Sequence, residues 1–219
     1  MNIDRFLYYF ARVVALLIAI PIHESSHALC ALALGDDTAE KRHRISMNPI
    51  RHFEPLGALS MILIGVGWAK PVPINPMKFK NRKAGMALSS LAGPLSNLLI
   101  SYACYTIYKV CAYAYSYSGG QVWNIIFTLF FYIAYINASL AVFNMLPIPP
   151  FDGSRIFFSF LPEKLYWGVM KYERYIMIGL FALLYMGVFD GILSTLVNGL
   201  IGLEAAATGY IDLLVQRIV

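Results

Sequence analysis

The sequence predicts an all-α polytopic membrane protein with about four to six transmembrane helices and a re-entrant or β-hairpin membrane element after the first span. Three observations carry that reading. Hydrophobic residues make up 59% of the 219-residue chain and charged residues only 13%; a soluble domain carries about twice that share of charge. Mean hydropathy is +0.63. Four apolar runs also reach the roughly 20 residues needed to cross the hydrocarbon of a bilayer.

The first run, Val13–Leu34, contains His23, Glu24, Ser25, Ser26 and His27. It therefore reads as a working span and not as a cleaved leader. Leu56–Trp68 is shorter; Gly57, Gly65 and Gly67, followed by Pro71 and Pro73, predict irregular or re-entrant backbone there. The second span falls within Ala84–Ala114, the third within Val122–Leu146 and the fourth within Tyr175–Leu200. Asp190 is an isolated acid in the last of these, an interior hydrogen-bonding group or the start of a helix break with Gly191. Ile201–Val219 mixes apolar residues with Glu204, Asp212 and Arg217 and reads as an amphipathic helix on the outer surface. No internal repeat or separable module is visible, so residues 1–219 read as a single domain.

Charge orients the spans. Lys41, Arg42, Arg44, Arg51, Lys70, Lys78, Lys80, Arg82 and Lys83 lie between the first and second, and Arg155, Lys164, Lys171 and Arg174 between the third and fourth. The link Tyr115–Gln121 carries none. Basic loops stay in the cytosol, so both termini are expected outside. The pI near 9.1 then reflects topology and attraction to anionic headgroups. Without a basic stripe interleaved with aromatics, no nucleic-acid partner is expected; the bilayer is. Cys30, Cys104 and Cys111 form no Cys-x-x-Cys pair and read as small buried residues, although Cys30 lies three positions after His27.

The chemistry starts from His23 and His27. Four apart on a helix, they share a face and can both present nitrogens to one Zn²⁺ at about 2.0–2.1 Å. Glu24 borders the same point and can take a proton from zinc-bound water as general base. Two satisfied core histidines would be the ordinary explanation, but ionisable groups at membrane depth are costly and mark function. Catalytic zinc takes three protein ligands and keeps a fourth position open. Asp36, Asp37, Glu40 and Glu54, with His43 and His52, sit among loop charges and read as solvated or interfacial. Asp152 differs: it follows the third span after Pro147, Pro149 and Pro150, and Gly153 permits a turn that aims it inward. It can be a ligand, the N-cap of the next helix, or both.

Together these residues resemble the site-2 protease family, the intramembrane zinc metalloproteases, over nearly the whole chain. His23–His27 match its HExxH motif; Asn144, Pro147, Asp152 and Gly153 match its Asn-x-x-Pro-x-x-x-x-Asp-Gly element; Gly93, Pro94 and Asn97 match its Gly-Pro-x-x-Asn element. The resemblance implies one Zn²⁺ held by His23, His27 and Asp152, water activated by Glu24, and Asn144 lining the site near the substrate carbonyl. It also implies a multi-pass protein of a prokaryotic cell membrane that cuts transmembrane or membrane-associated proteins in regulated intramembrane proteolysis, with a regulatory membrane partner or a homo-oligomer as options. The short turn Ser118–Gln121 leaves no room for a PDZ-like insertion there, so the form is minimal.

Some roles stay open at this level. Asn97 can position substrate or water, or bridge packed helices. Asn144 can serve substrate or satisfy backbone freed by Pro147. Ile64–Asn75 can offer an edge for strand addition to an unwound substrate or lie on the headgroups as an amphipathic loop. A metal transporter would need ligands along a continuous path, whereas these converge on one level. An inactive membrane chaperone would be expected to have lost Glu24 or a ligand, and none is missing.

Overall fold

The computed structural model describes residues 3–57 and 69–218. The described residues are helical, with no strand among them: α1 (Ile3–Ala33), α2 (Thr38–Lys41), α3 (Arg82–Ser118), α4 (Gln121–Asn144), α5 (Asp152–Phe158), α6 (Glu163–Met170), α7 (Glu173–Tyr185), α8 (Asp190–Ala207) and α9 (Gly209–Ile218). Short 3-10 turns cover Pro49–His52 and Pro76–Lys78. Among the described residues, four stretches are long and apolar enough to cross a membrane: Phe6–Ala33, Arg82–Ser118, Gln121–Asn144 and Asp190–Arg217.

The first three match expectation; the fourth is displaced. The sequence places it at Tyr175–Leu200, but the chain breaks in that run. Gly187 takes φ +72°, where a Cβ would lie 2.9 Å from Asp190 Oδ2, and Asp190 begins α8. The 13 residues of α7 are too few to cross. The C-terminal segment is likewise split between α8 and α9.

Helix contacts depend on small residues. Ala11, Ala15 and Ala19 line one face of α1, each at most 1% exposed, and Ala134, Ala138 and Ala141 are buried on α4. Such seams let backbones approach where lipid removes the hydrophobic drive between helices. α3 packs most extensively against α4 and α1. On its half remote from Gly93, Ser101 Oγ lies 2.9 Å from Ala134 O and 3.1 Å from Glu204 Oε2. One turn pair further, Lys109 Nζ meets Asp212 Oδ2 at 2.7 Å, and Tyr113 OH donates to Asp212 Oδ1 at 2.6 Å. These bonds clasp α8 and α9 to α3.

The expected re-entrant element at Leu56–Trp68 lies almost wholly outside the described residues, and Ala69–Asn75 is neither helix nor strand. Two residues expected to be solvated are instead structural. Asp36 is fully buried; it accepts from Thr38 N at 3.0 Å, Asn75 N at 2.6 Å and the Thr38 hydroxyl. His52 is 1% exposed and its Nε2 lies 2.8 Å from Ser46 O. The reason is that loop backbone near a membrane helix needs partners, and both side chains supply them.

Burial pushes the Asp36 carboxyl up, yet the bonds from Thr38 and Asn75 outweigh it and hold the pKa below the ordinary 3.8. The stabilisation is thus present above the unfolded value and lost as pH falls through the folded one. Asp36→Ala is expected to cost about 2–3 kcal/mol at neutral pH, read as a lower melting temperature in detergent micelles, with the difference from wild type shrinking in acid.

Candidate metal centre

α1 carries His23 and His27 one turn apart on its buried face, 8% and 6% exposed, with ring centroids 4.5 Å apart, edge to face. α3 crosses directly over both. A methyl on Gly93 would fall on His27 Cε1 and Nε2 and 2.6 Å from His23 Cε1, so only glycine admits this approach. The backbone there becomes a partner: His27 Nδ1 is 2.7 Å from Ser89 O and must carry the proton, because a carbonyl only accepts. That leaves Nε2 as a lone pair on the neutral ring.

Asp152 arrives from the third side. α4 ends at Asn144, and Phe151, with extended backbone (φ −66°, ψ 154°), is the N-cap of α5 without a side-chain bond. Asp152 is the first helical residue, which corrects the N-cap alternative. Its Oδ2 lies 3.2 Å from His23 Nε2 and 3.3 Å from His27 Nε2. Gly153 makes this possible, since a Cβ there would meet Met145 and stand 2.6 Å from Leu146 O.

The donor set fits zinc. Two imidazole nitrogens and one carboxylate oxygen converge, and the two Nε2 atoms stand 2.9 Å apart. A tetrahedron with bonds of about 2.0–2.1 Å has edges of about 3.3–3.4 Å, close to these separations. One ion can bridge donor atoms at these separations. Three protein donors also leave the open fourth position of catalytic zinc.

The surrounding residues divide by placement. Glu24 Oε2 accepts from Val72 N at 2.8 Å, which tethers the carboxylate beside the histidines. Asn97 is fully buried behind His23, its Nδ2 3.1 Å from Nδ1 and its Oδ1 without a partner. Turning the carboxamide over pairs Oδ1 with an Nδ1–H, the tautomer that frees Nε2 to ligate; oxygen and nitrogen of an amide are interchangeable in shape. Asn144 Nδ2 donates back along its own helix to Leu140 O at 3.0 Å, leaving one amide proton. Cys30 faces Leu88 O at 3.5 Å and is outside the donor cluster. Ser89 and Val72 act through backbone atoms, which no side-chain pattern reveals.

The protein-family model "Peptidase family M50" matches residues 11–188. The chain belongs to peptidase family M50. Of its relatives, "Putative zinc metalloprotease YwhC" of Bacillus subtilis (strain 168) is 36% identical over 178 residues, 78% of this chain and 81% of the relative. "Putative zinc metalloprotease Rip2" of Mycolicibacterium smegmatis (strain ATCC 700084 / mc(2)155) is 26% identical over 145 residues, 63% of this chain and 52% of the relative. The chain thus spans about half of Rip2's length. No solved structure matches it. This M50 peptidase is a zinc metallopeptidase of the site-2 protease type, a multi-pass membrane protein with four candidate spans among its described residues.

Gly93→Ala is expected to lower zinc affinity at least tenfold, because the methyl displaces both imidazoles. Metal analysis of the purified protein checks this, with Gly168→Ala, where a methyl meets nothing within 4 Å, retaining wild-type zinc.

Proposed function

We propose that residues 1–219 act as one domain that hydrolyses peptide bonds of transmembrane or membrane-associated proteins in a prokaryotic cell membrane, the cutting step of regulated intramembrane proteolysis. The observation that carries this is the meeting of His23, His27 and Asp152 beside a tethered Glu24, on helices long enough to span a bilayer. His23, His27 and Asp152 would hold the zinc. When bound, the metal supplies Lewis acidity, acidifying water and polarising the scissile carbonyl.

Glu24 then takes the proton of the attacking water and returns it to the leaving amine. Its bond from Val72 N occupies one carboxylate oxygen, and among the described residues the other has no partner and is left for that transfer. Asn144 offers its remaining amide proton to the carbonyl oxygen of the substrate. Asn97 is a positioning residue: it fixes the ring and tautomer of His23 from behind, instead of touching substrate.

The substrate helix must be unwound locally before an amide is accessible, and Lys70–Pro73 constrains how the unwound strand can lie. Lys70 N donates to His52 O at 3.0 Å and Val72 N is given to Glu24. Pro71 and Pro73 have no N–H. This stretch can accept from a substrate strand at its free carbonyls but has no donor to offer, so strand addition here is one-sided.

A transmembrane peptide reconstituted with the enzyme in liposomes tests the reading. Glu24→Gln is expected to lose about 10²–10⁴-fold in rate with zinc content unchanged, and chelation should abolish cutting until zinc returns. Retained cutting in Glu24→Gln overturns the assignment.

Asn97→Leu is expected to weaken zinc about 10–100-fold while KM at saturating zinc holds. Asn97→Asp, which keeps an acceptor for Nδ1–H, should retain the metal. A change confined to KM would instead give Asn97 to the substrate.

A further inference from the structure

The loops joining α1 to α3 form an open concavity, a second site whose chemistry differs from that of the metal centre. Arg42, Arg44, Arg51 and Lys70, with Ile50 and Phe53, line a cavity of about 300 Å³, and no acid is among its lining residues. Two other cations of these loops are neutralised: Lys41 lies 2.5 Å from Asp37, and Lys78 also pairs with it. Among the described residues, none of the four cations in the cavity forms an ion pair. Like charges held in one concavity repel, so the arrangement persists against a cost that a bound anion removes.

Two of the cations are braced in place. Arg44 Nη2 donates to Lys70 O and Arg51 Nη1 to His43 O, both at 2.7 Å. Each guanidinium spends one N–H on a carbonyl and keeps the rest of its planar fork, the geometry that grips phosphate oxygens. Arg44 Nε is buried without a partner, an N–H that costs free energy until an acceptor reaches it. His43 completes the polar side of the lining, and the remainder is apolar and outward: Ile50 is 80% and Phe53 56% exposed, with Met47 at 63% and Leu56 at 66% in the same loops. A ligand that satisfies both halves is an anion carrying an apolar body. The loops join membrane spans, where such molecules form the solvent boundary.

We propose that this cavity binds the phosphate of an anionic phospholipid, with Ile50 and Phe53 dipping among its acyl chains. The site adjoins the catalytic machinery through the chain itself. Lys70, whose carbonyl holds Arg44, is two residues from Val72, whose N–H holds Glu24; Ser46 O, in the same loop, accepts from Ser25 Oγ at 2.9 Å. A seated headgroup therefore braces the segment that tethers the general base.

Native mass spectrometry of the full chain in neutral detergent tests the proposal. Phosphatidylglycerol is compared with phosphatidylcholine of the same acyl chains, with inorganic phosphate and deca-glutamate as competitors. Phosphatidylglycerol is expected to be retained preferentially. Arg44→Gln with Arg51→Gln should weaken it about 25-fold, since one cation near a membrane surface is worth about fivefold. Arg42→Gln with Lys70→Gln leaves the loop-bracing bonds intact and should weaken it in the same direction, so a folding defect in the first pair does not decide the outcome. Lys164→Gln with Lys171→Gln, an equal loss of charge elsewhere, should change nothing. Equal retention of the two lipids, or an equal loss in the Lys164 and Lys171 control, overturns the proposal. Displacement by inorganic phosphate at the lipid's own concentration reassigns the site to free phosphate, and displacement by deca-glutamate reassigns it to an acidic protein segment; either result also overturns it.

Discussion

The structure turns on how two imidazoles are accommodated inside an apolar helix packing. A polar ring at membrane depth has no water to turn to, so each nitrogen must be met by protein or by an ion. The α3 backbone meets the Nδ1 side of His27 through Ser89, and Asn97 meets that of His23. The Nε2 atoms are left facing one another and Asp152. The metal centre thus follows from which nitrogens the neighbouring helix satisfies and which it does not. Gly93 is the pivot, because any larger residue would separate α3 from the rings it is built to touch.

Around this point the loops act as fasteners more than as connectors. Asp36 gathers the amides of Thr38 and Asn75, Ser25 and His52 share the carbonyl of Ser46, and Val72 secures Glu24. The half of the molecule remote from the histidines is held differently, by the Lys109, Tyr113 and Asp212 cluster that draws α9 onto α3. Between these two regions the packing relies on alanine seams and single polar bridges such as Ser101 to Glu204.

Much of this is legible in the residues, for reasons that differ by position. His23 and His27 announce themselves through helical spacing, and Asp152 through a proline break followed by Gly153, because both are statements about local backbone geometry. The first three spans follow from apolar length alone. The fourth follows only in part: the run from Tyr175 to Leu200 is interrupted by Asp190, which the sequence offers as a helix break, but the left-handed backbone of Gly187 that turns the chain there carries no hydropathy signal. Asp36 and His52 look like ordinary loop charges because the bonds that tie them to other parts of the chain, Asn75 N and Ser46 O, are to main-chain atoms that carry no residue-specific signature. The same holds for Ser89 and Val72. Asn97 was visible as part of a motif, but which way its carboxamide faced required the crossing of α3 over α1.

The two prolines beside Val72 carry a consequence for ligand chemistry. An inhibitor laid along Lys70–Pro73 gains from its own amide hydrogens and gains nothing there from its carbonyls. Peptidomimetics in which successive amides are N-methylated would then lose affinity at alternate positions, while replacing carbonyls on the same edge would be tolerated. The asymmetry favours compounds rich in outward N–H groups, a selection rule set by two missing hydrogens in the enzyme's own main chain.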